Sequence, residues 1–153
     1  MKKKAASPQK YEPYQAPLFF VGLFYVLLLV WTVVCVVMIG SKAIQAGWPL
    51  FQLFMIAFVL GYTWYFSLGI SYKFLAVDGQ GIELTSFRRA IRVNAENVTM
   101  VEGPRFALIP YGFIRFRLER EKAYLFCCIT DSILRKNLQR LGASNPEMKF
   151  RGL

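Results

Sequence analysis

The chain of 153 residues is 56% hydrophobic and only 18% charged, and it carries a formal net charge of +10 at pH 7. A chain of this length is ordinarily one domain, yet Lys42 is the only Lys, Arg, Asp or Glu between Glu12 and Lys73. A soluble core does not leave about sixty residues with one charge, so this stretch is predicted to lie in a bilayer. Histidine is absent and the three cysteines have no CxxC spacing. These absences argue against a zinc or iron–sulfur site, and we expect no cofactor.

The basic residues lie on both sides of this apolar stretch. Residues 1–15 hold four lysines against one glutamate, and residues 73–153 hold fourteen lysines and arginines against eight acidic residues. Such a surplus suits either a nucleic acid or an anionic membrane surface. Beside membrane spans the membrane surface is the simpler explanation, so we expect membrane lipids among the partners and no nucleic acid.

In chain order, residues 1–17 form a predicted basic cytoplasmic tail, and the first predicted span follows at residues 18–39. This run has no charged residue, and as a helix it reaches roughly 33 Å, enough to cross the hydrocarbon layer. The alternative is a cleaved signal peptide. The apolar run is too long for one, and the lysines lie about eight or more residues before it instead of abutting it.

A short link at residues 40–49 leads to the second predicted span at residues 50–71, so the two spans form a hairpin. Aromatic residues crowd the far end of the second span, as is typical of the headgroup belt: Tyr62, Trp64, Tyr65, Phe66 and Tyr72. Lysine and arginine number four before the first span, one in the link and four within about twenty residues after the second. The positive-inside rule therefore predicts a multi-pass membrane protein with both termini in the cytoplasm.

Small residues mark one face of the second span. Ala57 and Gly61 have the small-xxx-small spacing that lets helices approach closely in lipid. They are candidate helix-packing residues, either against the first span of the same chain or against another subunit. Neither span carries the polar residues that a transport pathway needs, which argues against a transporter or channel.

From residue 72 the hydrophobic period changes from that of a helix to that of strands. Strands are predicted at residues 72–77, 81–86, 90–93, 97–102, 111–119 and 123–130. Asp78-Gly79 is a strong hairpin turn between the first two strands. Asp131 is the expected N-cap of an amphipathic helix at residues 132–141, which Gly142 ends, and residues 143–153 are a predicted C-terminal tail.

This order of elements resembles the pleckstrin-homology-like (PH-like) superfold, and more narrowly the small bacterial PH-like membrane proteins with two N-terminal spans. The resemblance is carried by YKFLAVDGQGIEL (72–84), RRAIRVNAENVTMV (88–101), the FIRFRLE strand and the terminal helix. It implies a location in the bacterial inner membrane. It also implies a membrane α-helical hairpin plus a small α+β cytoplasmic domain at residues 72–142, with an antiparallel sheet or barrel of about six strands closed by the helix. No seventh strand is evident. A small open sheet with the helix on one face is the alternative architecture.

Basic residues near the second hairpin are the candidate contact residues for lipid or for a partner: Lys73, Arg88, Arg89 and Arg92. They could hold anionic headgroups, or they could serve only as the positive-inside signal. Arg115 and Arg117 share one strand face with Phe113, a pattern seen on nucleic-acid platforms and equally on a solvated outer face.

No catalytic residues are predicted. There is no histidine, the nine carboxylates are scattered, and no group is placed to activate Cys127 or Cys128. We therefore expect a non-catalytic accessory or scaffold subunit of a larger inner-membrane complex, with other membrane-protein subunits as partners. The alternative is a stand-alone module that binds anionic lipid headgroups.

Overall fold

The computed structural model describes residues 11–47, 49–104 and 108–153. Its helices are α1 (Leu18–Ala46), α2 (Leu50–Leu68) and α3 (Ser132–Ser144), with a 3-10 turn at Ala95–Asn97. Its strands are β1 (Tyr14–Gln15), β2 (Ser71–Val77), β3 (Gly81–Ser86), β4 (Ala90–Val93), β5 (Val98–Glu102), β6 (Tyr111–Leu118), β7 (Lys122–Cys128) and β8 (Lys149–Arg151). In coarse outline this agrees with the predicted helical hairpin followed by an α+β domain.

The helices α1 and α2 are long and apolar enough to cross a membrane. Only 6% of the residues in the most apolar window of each helix are buried, so neither helix is the core of a globular domain. The first helix is longer than the predicted span because residues 40–42 do not interrupt it. It ends instead at Gly47, which adopts a left-handed conformation with φ of 60° and donates its N–H to the carbonyl of Ala43.

The two helices contact each other through polar groups at two levels. The hydroxyl of Tyr25 donates to the carbonyl of Ser67 at 2.7 Å, and the indole N–H of Trp64 donates to the hydroxyl of Thr32 at 2.9 Å. Tyr25 therefore lies level with the last turn of α2. The first two turns of α1, residues 18–24, extend beyond the end of α2, and these two turns together with the last turn of α2 are called the foot of the hairpin below.

The strands form one mixed sheet in the order β4-β3-β2-β7-β6-β5-β8, with β1 paired to β2. The strands β2, β3 and β4 are antiparallel neighbours, and so are β5, β6 and β7. The expectation of a wholly antiparallel sheet is wrong at two pairs, because β2 runs parallel to β7 where they meet at Ser71 and Leu125, and β8 runs parallel to β5. The second of these pairs arises where the chain returns to the sheet after α3.

Two strands lie in segments that were predicted to be tails. Tyr14 in β1 is fully buried, and β8 adds a further strand at the edge of β5. These strands have two and three residues, which is too short for a periodic pattern to reveal them. The six strands predicted between residues 72 and 130 are present, with ends shifted by one or two residues.

The core lies between one face of the sheet and α3. Fully or nearly fully buried side chains from both layers fill it: Phe74, Leu84, Val101, Ile114, Phe116, Leu125, Leu134, Leu138 and Leu141. Asp131 caps α3, since its carboxylate accepts the N–H groups of Ile133 at 2.7 Å and Leu134 at 3.2 Å. Gly142 does not end the helix, which continues to Ser144.

The opposite face of the sheet packs against the foot of the hairpin. Phe24 contacts Phe113 and Phe126, with ring centroids 5.7 and 5.2 Å apart, and Phe20 stacks on Tyr111 at 5.3 Å. Only Gly69 and Ile70 lie between the end of α2 and the start of β2, so no flexible linker separates the hairpin from the domain.

Candidate functional site: a basic cleft at the foot of the hairpin

A cleft of about 310 Å³ lies between the last turns of α2, the turn from β3 to β4 and the start of β7. Its walls carry aromatic hydroxyl groups and cations from all three elements: Tyr62, Tyr65, Tyr124, Arg88, Arg89 and Lys122. We call it the junction cleft. It brings together two of the four predicted contact residues.

The backbone of the turn from β3 to β4 places Arg88 in the junction cleft. The hydroxyl of Ser86 donates to the carbonyl of Arg89 at 2.7 Å and closes the turn. The N–H of Arg88 then donates to the carbonyl of Leu68 at 3.2 Å, which joins the turn to the end of α2. The guanidinium of Arg88 lies 3.9 Å from the ring centroid of Tyr65, a distance typical of a cation–π contact.

Gly69 leaves the space that Arg88 occupies. A Cβ added at Gly69 would lie 2.8 Å from a terminal guanidinium nitrogen of Arg88. A larger residue here would displace the arginine from the ring of Tyr65, so this small residue shapes the cleft.

The other predicted contact residues are dispersed. Arg89 forms an ion pair with Glu121 at 2.6 Å, and Arg92 forms one with Glu83 at 3.3 Å. Arg92 lies outside the junction cleft, as does Lys73, whose ammonium group lies 5.9 Å from the ring centroid of Tyr72, its neighbour in sequence. The four predicted residues therefore do not form one cluster.

Sequence reasoning missed Lys122 as a site residue, because residues 120–122 fall between the predicted strands at residues 111–119 and 123–130. The structure places Lys122 at the start of β7, opposite Arg117. The signal that could have found it is the pairing of the two alternating strands, which puts both residues on one face.

The predicted helix-packing residues do not join the two helices of the hairpin. Ala57 and Gly61 are exposed, and a Cβ added at Gly61 would meet no atom within 4 Å. The polar contacts between α1 and α2 lie elsewhere, at Tyr25 and Trp64. This face of α2 is open.

A second charged cluster surrounds Glu102 on β5. The guanidinium of Arg115 binds the carboxylate of Glu102 directly, and a guanidinium nitrogen of Arg117 lies 3.5 Å from the other carboxylate oxygen. The hydrogen bond from Arg115 holds the pKa of the Glu102 carboxyl below its usual range, and the same bond raises the pKa of Arg115. Arg115 therefore belongs to an ion-pair cluster and does not simply form a solvated face.

The thiol, carboxylate and cationic groups of the described residues differ in what they can bind or react with. Burial raises the pKa of the Cys127 thiol to about 12, so it is not a nucleophile at neutral pH. Among residues 11–47, 49–104 and 108–153, no three His, Cys, Asp or Glu side chains lie close enough together to hold a metal ion. The arginines and tyrosines of the junction cleft are suited to hold a phosphate or a carboxylate.

No family model matches the chain, and no curated protein and no solved structure matches it either.

Proposed function

We propose that the protein is a non-catalytic accessory or scaffold subunit of a bacterial inner-membrane complex. Its hairpin crosses the membrane with both termini in the cytoplasm, and its PH-like domain contacts a protein partner or the membrane surface. The observation that carries the proposal is the direct docking of the domain on the foot of its own hairpin. A domain held in this way presents its surfaces at a fixed position relative to the bilayer.

The docking joins the two parts through aromatic packing. Phe20 and Phe24 lie against Phe113 and Phe126 with ring centroids 5.2 to 6.0 Å apart. Aromatic pairs of this kind contribute about 0.5–1.5 kcal/mol each beyond the burial of their apolar area. Several such pairs favour one rigid body over a domain on a flexible tether.

The segment before α1 strengthens the same joint. The N–H of Ala16 donates to the carbonyl of Tyr72 at 2.7 Å. The buried hydroxyl of Tyr14 donates to the carbonyl of Phe126 at 3.3 Å and accepts the N–H of Cys128 at 2.9 Å. The chain thus enters α1 from a strand that is already part of the domain.

The order of elements supports the PH-like part of the proposal. Two antiparallel groups of three strands are followed by the capped helix α3. The cytoplasmic orientation is supported by the excess of lysine and arginine in the two flanks over the single Lys42 between the helices.

The open face of α2 is where we expect the partner subunit. Close packing of a second transmembrane helix there requires small residues such as Gly61. In a Gly61→Leu variant the new side chain meets no atom of the chain near its Cβ, so the fold should persist while the helix contact is blocked. Gly40→Leu is the matched control, since an added Cβ at Gly40 in α1 also meets no atom within 4 Å.

The measurement is copurification of the tagged full-length chain from gently solubilised bacterial membranes. We expect a membrane protein to copurify in a fixed ratio with the native chain and with Gly40→Leu, and to be lost with Gly61→Leu. A native chain that purifies alone in several mild detergents would refute the accessory-subunit function.

A further inference from the structure

The sheet face that packs on the hairpin continues into two rows of mostly charged side chains. The first row crosses β7, β6, β5 and β8 at paired positions: Tyr124, Arg115, Glu102 and Arg151. The second row crosses the same strands two residues along: Lys122, Arg117, Met100 and Lys149. Neighbouring strands are about 4.8 Å apart, so each row is roughly 14 Å long. We call these eight positions the basic face.

Contacts with α2 define where the basic face lies. The ring of Tyr124 packs on that of Phe66 in the last turn of α2, with centroids 5.4 Å apart. Lys122 shares the junction cleft with Tyr62, which lies about one turn earlier in the helix. With α2 crossing the bilayer, as the proposed function requires, the first row is level with the end of the span and the second row is closer to the bilayer.

The charge of the basic face is unbalanced, with five cations around one carboxylate. The Glu102 side chain, 11% exposed, binds Arg115 and approaches Arg117. In the part of the chain that the structure describes, Lys122, Lys149 and Arg151 form no ion pair. The face therefore has a large positive surplus at the depth where lipid headgroups lie.

The face also has room for a headgroup. A cleft of about 730 Å³ opens over the first row, lined by Glu102, Phe113, Arg115, Tyr124 and Arg151. The planar guanidinium groups of arginine can donate two parallel hydrogen bonds to a phosphate.

Aromatic contacts argue against a nucleic acid on this face. Recognition of single strands needs exposed aromatic rings on which bases stack. The ring of Phe113 is 37% exposed, but it already packs against Phe20 and Phe24, at 6.0 and 5.7 Å between centroids.

We propose that the basic face binds the phosphate groups of anionic lipids in the leaflet from which α2 emerges. The principal phosphate ligands are Arg151, which lines the cleft over the first row, and Arg117, whose side chain is 44% exposed in the row nearer the bilayer. Glu102 holds Arg115 in position beside them. The proposal rests on the membrane placement of the proposed function and adds a ligand of defined chemistry.

The test compares lipid retention by full-length chains purified in a mild non-ionic detergent. Phosphatidylglycerol and phosphatidylcholine are added in equal amounts, and bound lipid is counted by native mass spectrometry. The test variant is Arg117→Gln with Arg151→Gln, which leaves the pair of Arg115 with Glu102 intact. The control is Arg135→Gln with Lys136→Gln, which removes the same charge from the exposed side of α3 across the sheet.

We expect the native chain to retain phosphatidylglycerol in preference to phosphatidylcholine, and added salt to weaken that preference. The test variant should lose retention roughly 25-fold, since each of its two basic groups near an anionic surface contributes about a factor of five. The control should behave as the native chain does, and both variants should keep the native unfolding temperature.

Several outcomes would overturn the proposal. They are equal retention of the two lipids, an equal effect of test and control variants, or a loss seen only with Arg88→Gln, which would place the lipid in the junction cleft.

Displacement of the lipid by millimolar inorganic phosphate would indicate a site for the free anion. Loss of a copurifying protein with unchanged lipid retention would assign the face to an acidic protein partner. Selective lipid binding without any copurifying partner would refute the accessory-subunit function alone.

Discussion

At the scale of single residues, Asn137 joins three parts of the domain from a position that is 1% exposed. Its amide nitrogen donates to the carbonyls of Glu12 at 3.0 Å and Ile133 at 2.9 Å. Its amide oxygen accepts the N–H of Ala76 at 3.0 Å. One buried side chain on α3 therefore connects the N-terminal segment, β2 and its own helix.

Asn137→Leu should lower the free energy of unfolding by about 2–3 kcal/mol, because it leaves the buried N–H of Ala76 without a partner. The exposed Gln139 on the same helix supplies the control Gln139→Leu, for which we expect a change within about 0.5 kcal/mol. Chemical unfolding in detergent, followed by circular dichroism, measures both. Equal stability of the two variants would show that the Asn137 hydrogen bonds are not needed.

Glu102 predicts a pH dependence of stability. Its pKa is lowered in the folded protein by the hydrogen bond from Arg115. The ionised carboxylate therefore contributes stability that is fully present above the unfolded-state pKa of about 4.3 and is lost as the pH falls through the lower folded-state pKa. The unfolding temperature should therefore fall below about pH 4.3, and Glu102→Gln should remove this part of the fall. Glu83→Gln, at an exposed ion pair with Arg92, is the control and should keep it.

At the scale of elements, the first two turns of α1 act as the docking surface for the sheet. Phe24 contacts Phe113 and Phe126, whereas Phe19, on another side of the same helix, is 76% exposed. Whether a phenylalanine in this segment stabilises the joint therefore depends on which side of the helix it occupies.

Phe24→Ala should weaken the docking by about 1–2 kcal/mol, because the half-buried ring of Phe24 loses part of the roughly 1.5–3 kcal/mol that full burial of such a side chain contributes. We expect faster hydrogen exchange in β6 and β7, where the lost contacts lie. Phe19→Ala is the matched control and should change neither the exchange nor the unfolding temperature. Unchanged exchange in Phe24→Ala would mean that the hairpin and the domain are joined by other contacts.

At the scale of the whole molecule, the hairpin is joined to the domain through both of its chain ends, at the start of α1 and at the end of α2. The chain passes from β1 into α1 through Ala16 and Pro17, and from α2 into β2 through Gly69 and Ile70. Both crossings are too short for independent motion. The domain surfaces therefore keep a defined height relative to the helices, and both the proposed partner contact and the proposed lipid contact depend on that height.

Local patterns predicted the elements whose signal lies within a few neighbouring residues. The uncharged run at residues 18–39 indicated α1, the alternation at residues 111–119 indicated β6, and Asp131 marked the start of α3. Each depends on a hydrophobic period or a capping side chain, which the chain expresses locally. The length of α1 was underestimated because Gly40 and Ser41 are weak helix breakers once apolar residues continue on both sides.

The amino-acid sequence by itself determined that the protein has two long apolar helices, a basic α+β domain and no histidine. Only the tertiary structure decided that β1 and β8 belong to the sheet, that Arg89 pairs with Glu121, and that Arg115 and Arg151 flank Glu102. The physical reason is how far apart in the chain the contacting residues lie. A helix period or a turn is set by adjacent residues. Strand register and ion pairing instead depend on residues far apart in the chain, and those meet only when the sheet closes on α3 and on the foot of the hairpin.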